Sequence, residues 1–316
     1  MVILTIDIGG ANTKTLLLLP SNNVKEEIFY FPLWKRKNEL KNFLEEIKNK
    51  YKPEIVGITT TAELCDIFET KREGERFIYK VCKQVFEDPY FLTINGELTK
   101  KEADIGAANY IASIYYLERK FNEGILLDIG STTTDIIPFK ENKILYGKSD
   151  LERLIKHQLI YTGMLRTPLN TIVHKIPFKG KKLRVASEFF AITADLYRVL
   201  GYIDKEEYSC ETPDGKGKSI EDCKRRIARL LCSEVNEVEE ELPKICEYIK
   251  NEQIKIIAEG IKEVVKESGI RKAYICGVGT KIGIEACRKI KLDYKGLNIK
   301  NLPCLGLAYM LREKGG

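Results

Sequence analysis

The sequence is poor in histidine and has no closely paired cysteines. Its 316 residues include two histidines, His157 and His174, and nine cysteines. None of the cysteines forms a C-x-x-C pair and their number is odd, so neither a disulfide framework nor a zinc site is expected. A Ser-His-Asp or histidine–metal mechanism has too few histidines to draw on. We expect buried free thiols, and chemistry that uses other side chains.

Long apolar runs and flexible linkers are also missing. No apolar run approaches the roughly 20 residues of a membrane-spanning helix, and the start, MVILTIDIGG, has neither a basic region nor a small-residue cleavage site. We therefore expect a cytoplasmic protein with no membrane partner. The net charge of +6 arises from interspersed Lys and Glu. This pattern is typical of solvated helix faces and predicts small-molecule rather than nucleic-acid partners.

One pattern occurs twice in the chain. ILTIDIGGANTK at 3–14 and LLDIGSTTTDIIP at 126–138 each run an apolar strand into Asp-Ile-Gly, turn through small polar residues and continue as a second strand. A third strand is predicted after each, at 26–33 and at 144–146, and a helix follows. The two halves thus begin with the same β-β-β-α order, about 120 residues apart, which indicates duplication at the scale of a domain. Alternating strands and helices predict an α/β fold with helices covering the sheets.

The two turns have the composition of a phosphate-binding site. Asp7 and Asp128 end the apolar strands, where a carboxylate can hold Mg²⁺ while backbone amides bind phosphate oxygens. The glycines of the turns leave room for a phosphate to approach the backbone. These glycines are Gly9, Gly10 and Gly130, and the side-chain donors beside them are Asn12, Thr13, Lys14, Ser131, Thr132 and Thr133. Two such turns facing each other across a cleft would clamp a polyphosphate.

The paired turns resemble the two phosphate motifs of the actin, Hsp70 and sugar-kinase superfamily. YICGVGTKIG at 274–283 resembles its third motif, which lies near the nucleotide, and makes Gly277 and Gly279 candidate phosphate contacts. The resemblance implies two duplicated ribonuclease H-like domains with a central cleft. We expect the first domain at residues 1–122, with the C-terminal helix at 305–316 packed back on it. The second is expected at 123–304, with a helical insertion at 150–270.

Four further segments resemble an archaeal branch of the hydantoinase/oxoprolinase group, the methanofuran-biosynthesis synthases. They are TTTAELCDIFETKREG at 59–74, YTGMLRTP at 161–168, ASEFFAITADLYR at 186–198 and ETPDGKGKS at 211–219. This resemblance implies a transferase that joins (5-aminomethyl-furan-3-yl)methyl diphosphate to the phenol oxygen of γ-glutamyltyramine. An ether forms and diphosphate leaves. Mg²⁺ is the expected cofactor, and ATP is not expected for this reaction.

The implied reaction suggests roles for individual residues. Asp7 and Asp128, each as a Mg²⁺ ligand, with help from Lys14 or Lys281, would stabilise the departing diphosphate. The phenol has a pKa near 10, so a carboxylate must help to remove its proton. Glu63 is the first candidate for this base, and Glu188 and Asp66 follow.

Other candidate residues would bind the acceptor. Arg166 could hold the γ-glutamyl carboxylates through a bidentate contact, with Thr61 and Glu188 as further substrate-binding residues. The loop from Asp214 to Lys216 has the composition either of a lid or of a plain surface turn.

Two other functions remain open on the sequence alone. The same fold serves ATP-dependent small-molecule kinases, although the base of a sugar pocket cannot be assigned here. It also serves non-enzymatic nucleotide-binding modules, but the chain has no appended peptide-binding domain and no long insertion for polymer contacts. The sequence leaves the oligomeric state open.

Overall fold

The computed structural model describes residues 1–141, 143 and 145–315 as a mixed α/β structure. The strands are β1 (Ile3–Gly9), β2 (Asn12–Leu18), β3 (Val24–Tyr30), β4 (Ile55–Thr61), β5 (Tyr90–Leu92), β6 (Leu98–Thr99), β7 (Glu123–Ile129), β8 (Thr134–Lys140), β9 (Leu159–Ile160), β10 (Lys175–Phe178), β11 (Lys181–Arg184), β12 (Lys272–Cys276) and β13 (Asp293–Gly296). The helices are α1 (Leu33–Arg36), α2 (Leu40–Tyr51), α3 (Lys71–Val85), α4 (Asn109–Glu118), α5 (Asp150–Ile155), α6 (Leu169–Ile172), α7 (Thr193–Val199), α8 (Ile220–Arg229), α9 (Val235–Val238), α10 (Leu242–Ser268), α11 (Thr280–Lys289) and α12 (Leu302–Lys314), with a 3₁₀ turn at Lys37–Glu39. Among the described residues, no helix is long and apolar enough to cross a membrane.

The chain divides into two compact units. The first comprises residues 1–123, 139–152 and the stretch from 299 onward, and the second comprises 124–138 and 153–298. The first unit holds a six-stranded sheet in the order β3-β2-β1-β4-β5-β6, and the second a five-stranded sheet in the order β13-β12-β7-β8-β9. Strands β10 and β11 form a separate antiparallel hairpin. The expected α/β fold class is thereby confirmed.

Strand β1 is central to the first unit. It pairs with β2 antiparallel and with β4 parallel, and six of its seven residues are buried. Helix α2 covers the sheet through Leu40, Leu44 and Ile47, whose spacing puts them on one helix face. Helix α3 begins at a Thr70 cap, whose hydroxyl accepts the Glu73 N–H. A buried strand end between two covered faces is therefore the setting of the first turn.

Helix α12 packs against α4 and against β1, β2 and β4 of the first unit. Almost every residue from Leu302 to Leu311 is buried, which suits a helix that is apolar on all sides. The approach to α4 is close, because a Cβ placed on Gly306 would lie 1.8 Å from the carbonyl oxygen of Ala112. The Thr5 hydroxyl of β1 also donates to the Cys304 carbonyl. The C-terminal helix is thus part of the core that supports β1.

The second unit is organised around β7 and β12, which pair in parallel register. Helix α11 follows β12 directly, and its Gly283 contacts Ile275 and Leu127 of the sheet. Helix α10 has 27 residues and ends at Gly269, which adopts the left-handed conformation (φ 72°). Its Gly260 lies against Ile136 and Ile160 of β8 and β9. Both helices therefore pack on the sheet through glycines.

Some elements differ from the sequence prediction. The apolar spacing of residues 101–119 predicts a single long helix, but helix α4 begins at Asn109, because the Gly106 N–H bonds to the Glu75 carboxylate and Ala107 has a positive φ of 49°. The predicted strand at 144–146 includes a position outside the described residues. The strand beside β8 is instead β9. Residues 139–152 lie with the first unit, where the Tyr110 hydroxyl donates to the Gly147 carbonyl.

Replacement of Gly306 by Ala tests the packing of α12 on α4. The added methyl group would overlap the Ala112 carbonyl, so we expect the free energy of unfolding to fall by about 2 kcal/mol or more. Urea denaturation of both proteins measures the change. Gly296→Ala is the matched control, since no atom lies within 4 Å of a Cβ at that position. Equal stability of the two variants would contradict the close approach of the helices.

Candidate functional site

The first turn joins β1 to β2 and brings Asp7 beside two polar neighbours. Asp7 is buried and is in register with Lys14 of β2 and Thr59 of β4. Residues in register point to the same face of a sheet, so these three side chains share one face. The turn is held by the Leu33 N–H, which donates to the Gly10 carbonyl. Gly9 must lack a side chain, because a Cβ there would lie 2.8 Å from the Asn12 carbonyl oxygen.

Two threonine hydroxyls near this turn are buried without a hydrogen-bond partner among the described residues. They belong to Thr13 and Thr59. Buried polar groups normally have a partner, and one that lacks a protein partner is suited to bind a water, an ion or a ligand. The Thr59 hydroxyl shares a face of the sheet with the Asp7 carboxylate and therefore fits a polar ligand at the end of β1, whereas Thr13 is in register with Ile8 and faces the other side. Thr61, in register with Gly9, is exposed at the same strand end.

The predicted base, Glu63, lies just beyond β4 and is only 3% exposed. Backbone from two other segments closes around it: a Cβ on Gly74 would lie 2.3 Å from its carbonyl oxygen, and one on Gly106 would lie 2.6 Å from its Cγ. Within the described part of the chain its Oε2 atom has no hydrogen-bond partner. Burial raises the pKa of Glu63 to about 7, and the nearby carboxylates of Asp150 and Glu75 add to the rise. A carboxyl group of this kind can exchange protons near neutral pH.

The second turn joins β7 to β8 and rests on the segment YTGMLRTP. The Gly130 N–H donates to the Thr133 carbonyl across the turn. From the segment, the Met164 N–H donates to the Gly130 carbonyl, and the Arg166 N–H to the Ser131 carbonyl. The Arg166 guanidinium also donates to the Thr132 hydroxyl, at 3.3 Å. The segment therefore fixes the turn and puts a cation beside it, which suits an anionic ligand.

The glycine motif after β12 contacts the same turn. Gly277 has a φ of +84°, and a Cβ at this position would lie 2.4 Å from Oδ1 of Asp128. The Gly279 N–H donates to the Ile129 carbonyl, and its Cα packs on the Ile129 side chain. Asp128, Gly130 to Thr133, Gly277 and Gly279 are thus brought together in the second unit.

A buried amide that the sequence does not predict supports the second turn. Gln253, in the middle of α10, donates from Nε2 to the Thr162 hydroxyl and to the Gly163 carbonyl, both at 2.9 Å. Its Oε1 accepts the Tyr197 hydroxyl at 2.7 Å. Gly163 in turn lies so close to Ser131 and Thr132 that a Cβ would clash with their backbone. Gln253 therefore connects two helices to the second turn. A lone Gln in a helix gives no sequence signal of such a role.

Two comparisons of sequence identify the relatives of the chain. The hydantoinase/oxoprolinase family model matches residues 54–303. The (4-{4-[2-(gamma-L-glutamylamino)ethyl]phenoxymethyl}furan-2-yl)methanamine synthase of Methanocaldococcus jannaschii is 39% identical over 291 residues, which cover 89% of this chain and 87% of that protein. A protein of the same name from Methanococcus vannielii is 44% identical over 160 residues, 50% of this chain and 72% of that protein.

The chain belongs to the hydantoinase/oxoprolinase family. Its fold is also found in solved structures that share little sequence with it. A chain of nucleotide-free acetone carboxylase superposes with a TM-score of 0.59 at 9% identity, over 97% of this chain and 70% of that one. The activator of the 2-hydroxyisocaproyl-CoA dehydratase from Clostridium difficile, with bound ADPNP, superposes with a TM-score of 0.51 at 13% identity. This superposition covers 99% of this chain and 95% of that one. These likenesses concern the fold alone.

Several other predicted site residues of this family member are exposed or are bonded to other segments. Glu188 is exposed, and its backbone carbonyl accepts the Asn170 side chain. Asp66 is exposed as well. Lys281 donates to the Tyr202 carbonyl. Asp214 accepts a hydrogen bond from the buried guanidinium of Arg226. This bond ties the loop from Asp214 to Lys216 to the core, which favours a plain surface turn over a lid.

The residues of the two turns fit Mg²⁺ only in company with a phosphate ligand. The described residues contain no group of three His, Cys, Asp or Glu that could hold a metal ion. Each turn does supply one carboxylate, from Asp7 or from Asp128. Mg²⁺ is commonly bound by one or two carboxylates together with substrate phosphates and water. The orphaned Thr59 hydroxyl beside Asp7 also fits a hydrated ion or a phosphate.

Replacement of Gly277 by Ala tests the contact between the glycine motif and Asp128. The methyl group would displace the Asp128 carboxylate, so we expect binding of inorganic diphosphate with Mg²⁺ to weaken about tenfold or more, measured by calorimetry. Gly215→Ala is the matched control. Gly215 also has a positive φ, 67°, but no atom lies within 4 Å of its Cβ position. Both variants carry backbone strain of about 1 kcal/mol or more. Equal diphosphate affinity in the two would contradict an anion site at Gly277.

The pKa of Glu63 predicts a pH-dependent stability. In the folded chain the pKa is raised from 4.5 to about 7, so ionisation of Glu63 opposes folding. Stability is therefore lost as the pH rises from about 4.5 to 7, by up to about 3 kcal/mol. The Glu63→Gln side chain does not ionise, so this variant should lose less stability than the unchanged protein when the pH rises from 5 to 8. Urea denaturation at both pH values measures this, with the exposed Glu46→Gln as control. The same pH dependence in both variants would contradict the raised pKa.

Proposed function

We propose that the chain is a transferase that joins (5-aminomethyl-furan-3-yl)methyl diphosphate to the phenol oxygen of γ-glutamyltyramine in methanofuran biosynthesis. The observation that carries the proposal is the 39% identity to the synthase of Methanocaldococcus jannaschii, which extends over 89% of this chain. The name of that protein describes the ether product of such a reaction. Both named relatives are synthases, so the kinase that the fold also permits has less support.

The second turn supplies groups suited to the leaving diphosphate. A furanylmethyl diphosphate ionises readily because the ring spreads the developing positive charge, and the charge on the departing diphosphate must be neutralised. The Arg166 guanidinium and the backbone around Ser131 and Thr132 lie together in the second unit. Preorganised donors of this kind stabilise charge that develops in a transition state. The position of Arg166 therefore supports a role on the diphosphate rather than on the γ-glutamyl carboxylates.

Asp7 and Asp128 are each proposed as a Mg²⁺ ligand, and Mg²⁺ would supply Lewis-acid stabilisation of the leaving group. Lys14, in register with Asp7, adds a positive charge to the first turn. The glycines and hydroxyl groups of each turn are proposed to bind phosphate oxygens. ATP is not required, because the bond that breaks is already activated by the diphosphate.

Glu63 is proposed as the base that takes the phenol proton. Of the three predicted carboxylates it alone is buried, whereas Asp66 and Glu188 are exposed. Its pKa of about 7 is the property of a general base that works near neutral pH. The ionised form is required, so the rate should increase as the pH rises through about 7.

The direct test supplies the furan diphosphate, γ-glutamyltyramine and Mg²⁺ without ATP. We expect the ether and free diphosphate, identified by mass spectrometry. Glu63→Gln should lower kcat about 10² to 10⁴-fold, because a positioned base contributes that much. The remaining activity should lose the increase with pH near 7. If no ether forms and the acceptor instead stimulates ATP hydrolysis, the synthase proposal is wrong.

Two variants separate the turns from the base in the same assay. Asp7→Asn and Asp128→Asn each remove one carboxylate charge without changing the shape of the side chain. Both should raise the Mg²⁺ concentration needed for half-maximal activity while keeping the pH dependence that Glu63 provides. Unchanged activity and unchanged Mg²⁺ dependence in both variants would remove the proposed roles of these carboxylates.

A further inference from the structure

The first unit contains a pocket of about 500 Å³ beside Glu63. It is lined by one face of α3, by the loop at 102–107, by Ile94 and by residues 148–149. The volume lies in the range of small-molecule sites, roughly 300–1,000 Å³. None of the glycines or donors of the two turns lines this pocket. Binding of phosphate at the turns therefore does not explain which ligand the pocket would bind.

The charges of the pocket are balanced. It is lined by four acidic side chains and four basic ones, namely Glu63, Glu75, Glu102 and Asp104, and Lys71, Arg72, Arg76 and Lys148. A site for a polyphosphate would carry mainly basic groups, and a site for a simple amine mainly acidic ones. Equal numbers of both signs suit a ligand that carries one charge of each sign.

The two signs are adjacent at the exposed side of the pocket. Nε of Arg76 lies 2.8 Å from Oε1 of Glu102, and both side chains are 45% exposed. An exposed ion pair contributes little to stability, so it can open to a ligand at small cost. The α-carbon of an amino acid carries a carboxylate and an ammonium group, which match Arg76 and Glu102 respectively.

The buried side of the pocket has a different character. Glu63 lines it and has a buried Oε2 atom with no partner in the described part of the chain. Ile94, Ala103 and Ala107 supply apolar surface against which an aromatic ring can pack. A phenol placed there would pack its ring on these residues and donate its O–H to Glu63. The pocket therefore offers a place for each end of one molecule.

We propose that this pocket binds the phenolic acceptor, with the phenol at Glu63 and the amino-acid end of the γ-glutamyl tail at Arg76 and Glu102. The inference rests on the proposed function, because it takes the identity of the acceptor from it. In this inference Arg76, rather than Arg166 as the sequence suggested, recognises the carboxylate of the γ-glutamyl tail. It also makes the ion pair a determinant of specificity, since tyramine has the phenol but lacks the amino-acid end.

The test compares γ-glutamyltyramine with tyramine as acceptors. In the unchanged protein, kcat/KM should favour γ-glutamyltyramine. Arg76→Gln should lower that preference about tenfold, through a loss with γ-glutamyltyramine and little change with tyramine. The control is Arg36→Gln, which removes a comparable exposed ion pair, with Glu39, outside the pocket. An unchanged preference in Arg76→Gln would overturn the inference, as would an equal loss with both acceptors.

Direct binding separates failure of this inference from failure of the proposed function. Calorimetric titration of γ-glutamyltyramine should give about tenfold weaker binding to Arg76→Gln than to the unchanged protein or to Arg36→Gln. If the unchanged protein forms no ether from either acceptor, the proposed function fails, and the titration alone decides about the pocket. Equal affinity of all three proteins, or no binding to any, would overturn the inference.

Discussion

Close approach of glycine backbone to acidic residues is the constraint on which the second turn and the surroundings of Glu63 depend. Gly277 lies against the Asp128 carboxylate, and Gly74 and Gly106 lie against Glu63. At each of these contacts a Cβ would come within 3 Å of a heavy atom, so no larger residue fits without movement. Gly277 fixes the position of the Asp128 carboxylate, Gly106 packs on the Glu63 side chain and Gly74 on the Glu63 backbone. Burial of this kind disfavours the charged form of an acid, as the pKa of Glu63 shows.

This arrangement is destabilising by itself, and the packing around it must compensate. An ionised Glu63 costs up to about 3 kcal/mol, which is a large part of the stability of an ordinary domain. The first unit offsets such costs with helices α2, α3 and α12 packed around β1 and its neighbours. In the second unit, the Gln253 amide joins α7 and α10 to the segment under the turn. A rigid support of this kind keeps donors aligned, which is what stabilisation of a leaving group requires.

Local features of the site could be predicted from the sequence, but tertiary ones could not. Asp7 and Asp128 could be placed near strand ends because a strand and the turn that follows it are encoded by adjacent residues, and because the motif occurs twice. Glu63 could be placed beyond a strand, but its burial depends on glycines of other elements. Gln253 reaches Gly163 across 90 positions of sequence, a distance at which a single sequence carries no pairing signal. The same limit explains why the contact of Arg166 with Thr132 was not foreseen.

The burial of Glu63 bears on which acceptor the proposed base would serve. Phosphate turns bind a diphosphate equally well whether phosphorus or carbon is attacked, so they do not distinguish a kinase from a synthase. The acidity of the acceptor hydroxyl, in contrast, does bear on this distinction. A phenol of pKa near 10 gives its proton to a carboxylate of pKa about 7 at a cost of about 4 kcal/mol, whereas an ordinary Glu near 4.3 would face about 8 kcal/mol. An alcohol is a far weaker acid than a phenol, and the cost would be larger with either base. A base raised to this pKa by burial therefore matches a phenolic acceptor better than an alcohol.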